Sequence, residues 1–197
     1  MPSTLERFRK LLDEAKDEAP LQRFLSETPW PLLGLGGFKH VFDKVRVGPK
    51  YVTDFASVVW GNYSIWTLVE LESPRARLFT KAGLYSRQLS TALRQVNDWL
   101  IWQRDFAEVG GEEMEPLQGE VVEAAIVIGR RRDLSRTDRR RLVQLNSTVP
   151  AHALRVVTYD TLLDFAEEQT PEAVRDFEGP WRARVKQYPT VSDFKAR

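Results

Sequence analysis

YVTDFASVVW (residues 51–60), followed by GNY (61–63) and SIWTLVELE (64–72), decides the fold. Both outer segments are rich in β-branched and aromatic residues, and glycine with asparagine between such runs signals a hairpin. The same segments carry three acids, Asp54, Glu70 and Glu72. Carboxylates on short apolar strands are costly unless something neutralises them. If Gly61, Asn62 and Tyr63 form the loop, Trp60 faces Ser64 and Asp54 faces Glu70. Directly opposed residues share a sheet face, and Glu72 joins them by period-two alternation. A two-residue loop would instead set Asp54 opposite Val69 and split the acids between faces, so the site requires an odd-length loop or a bulge. Oxygen ligands gathered at one point suit a hard divalent ion such as Mg²⁺ (or Mn²⁺), and such an ion points to phosphoryl chemistry. On spacing alone the acids also read as the solvated end of a hairpin.

Working outward, Leu5, Phe8, Leu11 and Leu12, then Leu21, Phe24 and Leu25, fall at helical spacing across residues 4–27. Pro20 starts a second helix there, because proline is tolerated in a first turn. TPWPLLGLGG breaks the pattern, and FKHVFDKVRV is a further strand before the hairpin. After the connector SPRARLFTKAG, a long helix is expected from about Leu84 to Phe106, with Leu89, Leu93, Val96 and Leu100 as its apolar stripe. Gln88 and Gln95 lie two turns apart on one face of it, where their amides can bind a phosphate, a base edge or a water. Lys81 in the connector is a candidate positive charge beside the acids. VVEAAIVIG is nearly all apolar, as expected of a strand covered on both faces. LSRTDRRRLVQLN reads as helix, ALRVVTY as the last strand and TLLDFAEEQ as a closing helix. The expected fold class is α/β, with a central mixed β-sheet flanked by helices. Residues 1–170 form this domain, and 171–197 a polar, aromatic tail for packing or interaction.

Bulk properties narrow the function. At 197 residues, 42% hydrophobic and 29% charged, the composition is that of a globular domain. No apolar run is long enough to span a bilayer and no signal-peptide pattern opens the chain. Cysteine is absent, which suits a cytoplasmic location and excludes thiolate chemistry. His40 and His152 lie far apart, and neither a phosphate-binding GxxxxGK[ST] loop nor a GxSxG elbow is present. Net charge is only +1, yet GRRRDLSRTDRRR gathers seven arginines between Arg130 and Arg141. Arg130, Arg131, Arg132, Arg136, Arg139 and Arg140 are therefore candidates to track a nucleic-acid backbone, or else form a solvated helix face.

Six segments in order, EAPLQRFLSETPWPLL, TDFASV, LVELESP, QLSTALRQVNDW, AAIVIGRR and VVTYDTLLDF, resemble the Shedu-type nuclease domain of bacterial antiphage defence. That domain is a branch of the PD-(D/E)XK, or restriction-endonuclease-like, superfamily, and the resemblance covers roughly residues 14–168. It implies a metal-dependent DNA endonuclease in which Asp54 and Glu70 hold Mg²⁺ or Mn²⁺, with Glu18 approaching from its helix and Gln88 in the active site. It further implies DNA as partner and a homo-oligomer, dimer or tetramer, because cutting both strands calls for two sites. The chain departs from the pattern at Glu72, which stands where the family carries lysine. Glutamate there can be a third ligand or a base for water, with Lys81 the candidate to supply the missing charge. The departure keeps two alternatives open: a catalytically inactive nuclease fold that binds DNA or senses it, and a protein-interaction module docking through its tail.

Overall fold

The computed structural model describes residues 3–35, 40–47, 50–59, 65–106, 121–148 and 154–169. The loop at 61–63, the acidic stretch before residue 121 and the tail at 171–197 lie outside these residues.

Helix α1 (Thr4–Glu14) starts at Ser3, whose hydroxyl accepts from the Glu6 N–H while the Glu6 carboxylate accepts from the Ser3 N–H. Helix α2 (Ala19–Glu27) begins with Pro20 in its first turn, as the sequence predicts. Phe8 and Phe24 stack between the two helices, with centroids 5.2 Å apart and rings inclined by 2°. A 3₁₀ turn at Trp30–Leu35 then leads to the strands.

The central sheet is formed by β1 (His40–Asp43), β4 (Phe55–Val59), β5 (Ile65–Leu71), β6 (Val121–Val127) and β7 (Leu154–Val157), side by side in that order. β1, β4 and β5 pair antiparallel; β5, β6 and β7 pair parallel, so the sheet is mixed. The short strands β2 (Arg46–Val47) and β3 (Tyr51–Val52) form a separate antiparallel ribbon. Residues 51–59 thus do not form one strand. The chain leaves the ribbon at Thr53 and enters the sheet at Phe55, with Asp54 at the junction.

Alternation along the strands sorts the apolar residues into two cores. Trp66 and Leu68 of β5, with Ala124 and Ile126 of β6, pack with Leu89, Ala92, Val96 and Trp99 of α3 (Arg87–Phe106) and Leu145 of α4 (Arg136–Thr148). Val69 and Leu71, with Ala125 and Val127, meet α1, α2 and α5 (Tyr159–Glu168) on the opposite face. β6 is buried on both sides, as its continuous apolar run requires. Helix α3 starts three residues later than the apolar stripe implies. Ser86 closes its end by accepting from the Leu89 N–H at 3.1 Å, and Tyr85 is engaged in a β-bridge to Phe79.

Candidate active site at the end of the central strand

The β4–β5 ladder sets Phe55 opposite Val69 and Val59 opposite Ile65. The regular pairing ends there: the Asp54 N–H donates to the Val69 carbonyl at 3.1 Å, and the Asp54 carboxylate accepts from the Leu71 N–H, which sets it beside the segment that carries Glu70. Because β4 and β5 run antiparallel, the start of one and the end of the other share an edge. Asp54, Glu70 and Glu72 therefore gather at the carboxyl end of β5.

Glu70 is the most enclosed of them, at 9% exposure. Burial raises its carboxyl to about 8, and repulsion from Asp54 and then Glu72 adds to the rise; Lys44 and a hydrogen bond from Gln95 pull the other way. Glu72 follows the strand end. Its backbone N–H donates to the Val127 carbonyl at 2.9 Å, and its carbonyl accepts from the Tyr159 hydroxyl at 2.9 Å. Burial, then Glu18, then Asp54 push the Glu72 carboxyl up to about 7. Glu18 is the N-cap of α2 and makes no side-chain cap bond, so its carboxylate is not committed to its own helix. One turn on, the Gln22 amide donates to Asp54 Oδ1 at 3.1 Å.

Asp54 is the hub. Its Oδ1 also accepts from Lys44 Nζ at 2.7 Å, and its Oδ2 accepts from the Leu71 N–H at 2.8 Å. Tyr159, fully buried at the start of α5, closes the floor. Burial, then the charges of Asp54, Glu18, Glu72 and Glu70, hold its phenol well above the ordinary range, so it stays a hydrogen-bond donor.

The four acids named from the sequence are thus brought together, but not as a ready-made metal cage. Among the described residues no three acidic or histidine side chains already converge as a ligand set. The donor chemistry nonetheless fits a hard divalent ion: all four donors are carboxylates, and burial and mutual repulsion that a cation would relieve disfavour the charged forms of Glu70 and Glu72.

Other expected site residues stand elsewhere. Gln88 is exposed near the start of α3; Gln95, two turns and roughly 10 Å further along, is the glutamine that reaches Glu70. Lys81 is exposed in the turn before α3, and the lysine among the acids is Lys44, from the turn after β1. The arginine run also divides. Arg130 is buried and clamps Asp160, Asp13 and the Leu12 carbonyl, while Arg131 pairs with Asp164 and Arg132 with Asp13. These three tie α1 and α5 to the end of β6; Arg130 is buried there, while Arg131 and Arg132 keep about half of their side chains exposed. Arg136, Arg139 and Arg140 remain exposed on α4. Lys44, Gln22 and Tyr159 were missed: Gln22 and Tyr159 come from elements remote in sequence from the acids they meet, and Lys44 lies only ten residues before Asp54, within the quoted FKHVFDKVRV.

A protein-family model described as Shedu protein SduA, C-terminal, matches residues 15–163. No curated protein matches the sequence significantly. Seven solved chains match. Among them is the restriction endonuclease FokI bound to DNA, at 14% identity and a TM-score of 0.43, over 89% of this chain and 33% of that one. The present chain therefore spans about a third of that enzyme's length.

Proposed function

The chain belongs to the Shedu protein SduA C-terminal family, and from that premise we propose that it is a metal-dependent DNA endonuclease of an antiphage defence system, with a PD-(D/E)XK-like site. The observation that supports this reading best is the meeting of Asp54, Glu70, Glu72 and Glu18 at one sheet end, where burial and repulsion disfavour the charged forms of Glu70 and Glu72. A fold gains nothing from that conflict; a cation site does. Asp54 and Glu70 would hold Mg²⁺ or Mn²⁺, with Glu18 alongside, and Glu72 is kept for the proton of the attacking water. Such an ion, when bound, acidifies water and offsets charge on phosphate.

The chain's own residues supply the rest. Gln95 and Gln22 orient Glu70 and Asp54 by amide hydrogen bonds, and the Tyr159 hydroxyl fixes the backbone of Glu72. Burial, then Glu18 and Asp54, raise the Glu72 carboxyl above its ordinary value, which favours its taking up a proton. Glu72 takes the proton of the attacking water as the water oxygen bonds to phosphorus. The bond from phosphorus to the sugar oxygen breaks, and that oxygen is protonated from solvent. Arg136, Arg139 and Arg140 meet the DNA backbone, and a second copy of the chain supplies the cut on the other strand.

A second reading has its own support: Glu72 stands in the lysine position and Lys44 already neutralises Asp54, as in a nuclease fold kept only for binding DNA. Supercoiled plasmid separates the two. Nicked and linear products in Mg²⁺ or Mn²⁺, and none in EDTA, are expected of the endonuclease. Intact plasmid with every metal, from folded protein that retards DNA, supports the binding subunit instead.

A further inference from the structure

We propose that Lys44 is the working cation of this site: at rest it is the counter-ion of Asp54, which a divalent ion must displace, and in turnover it binds the scissile phosphate. The second half rests on the nuclease reading; the first does not.

On the nuclease reading, a site with four neighbouring carboxylates must admit a phosphodiester that is itself an anion. Position 72, a glutamate, adds to the repulsion rather than relieving it. Some positive charge from the protein is required at the phosphate, since preorganised donors aimed at developing charge are the strongest catalytic device available to a hydrolase. Among the described residues Lys44 is the lysine in contact with these acids, with Nζ 2.7 Å from Asp54 Oδ1. Its side chain is half exposed while that of Asp54 is 15% exposed, so the ammonium lies on the solvent side of the acid it neutralises.

The backbone holds it there deliberately. Lys44 has φ +54°, a left-handed conformation that normally selects glycine or asparagine. The strain is pinned from both sides. Asp43 accepts from the Ser26 hydroxyl at 2.7 Å, the Val45 carbonyl accepts from the Thr53 N–H at 2.9 Å, and the Lys44 N–H itself donates to the Asp54 carbonyl at 3.0 Å. Strained non-glycine residues persist where the surroundings over-determine them, and such places are commonly functional. A glycine would make this turn with less strain, whereas the lysine that stands here brings an ammonium group to Asp54.

Two variants test this. Lys44→Gly suits the left-handed turn, so the fold holds while the charge is lost; Lys44→Arg keeps the charge. Calorimetric titration of Mn²⁺ without DNA should show severalfold tighter binding to Lys44→Gly than to the native chain, and near-native binding to Lys44→Arg. Plasmid nicking should fall by about 100-fold in Lys44→Gly and recover in part in Lys44→Arg. Mn²⁺ binding no tighter in Lys44→Gly overturns the counter-ion role. Native-rate nicking by the same variant overturns the phosphate role. If the native chain cuts nothing, the nuclease reading fails by itself, and the titration still decides whether Lys44 guards Asp54.

Discussion

Glu70 and Glu72 make the metal-free protein sensitive to pH in a direction opposite to that of most carboxylates. Their folded values, about 8 and about 7, stand above the ordinary 4.5. The folded state therefore holds protons that the unfolded chain has released, and their contribution to stability is fully present below pH 4.5 and lost as pH rises through 7 and 8. In EDTA the melting temperature should fall between pH 5.5 and 8.5, and Glu70→Gln should flatten that fall. Adding Mn²⁺ at pH 8.5 should restore much of the loss, since a ligand of the folded state stabilises it by mass action. A melting temperature that rises over this range would remove the electrostatic basis of the site. The glutamines give a sharper comparison: Gln95→Ala should slow cleavage about tenfold or more, whereas Gln88→Ala should leave it near native, read as initial nicking rates. Spacing alone could not separate them, because residues seven apart share a helix face; only the axial position of α3 over β5 does.

At the scale of elements, the arginine run illustrates what sequence order conceals. Arg130 and Arg136 look alike in the chain, but the former is buried between Asp160 of α5 and Asp13 near the end of α1. Arg130→Ala should destabilise the fold by about 3–5 kcal/mol, as removal of one partner of a buried ion pair does. Arg136→Ala and Arg140→Ala should leave urea unfolding unchanged, weaken DNA retention and lower its steep salt dependence. The partners that decide these roles are 30 residues or more from Arg130, beyond any local pattern. Element types were far more legible. The helix with Pro20 in its first turn and the doubly buried β6 follow from periodicity and turn chemistry, whereas the hairpin register was open between an odd and a two-residue loop until the β4–β5 ladder set Phe55 opposite Val69. Two boundaries were not legible: the break at Asp54, which the Leu71 N–H and Lys44 impose from other elements, and Tyr159, read as the end of a strand and found at the start of α5.

For the whole molecule, the order of six motifs indicated the family before any geometry, and the family match at residues 15–163 agrees with it. The acids were legible for the same reason: each lies at a strand end or helix cap whose place the fold dictates. The lysine was not. Lys81 is nearer Glu72 in sequence, but Lys44 reaches the acids through a left-handed turn that lysine rarely adopts and that no pattern announces. The central claim is that the chain tolerates a repulsive, buried carboxylate because the reaction needs it. The most direct test is the plasmid nicking rate of Glu70→Gln in Mn²⁺ at pH 8, with its melting temperature in EDTA alongside. This account predicts a variant that melts at a higher temperature than the native chain and cuts at least about 100-fold more slowly. Native-rate cutting by Glu70→Gln would contradict it.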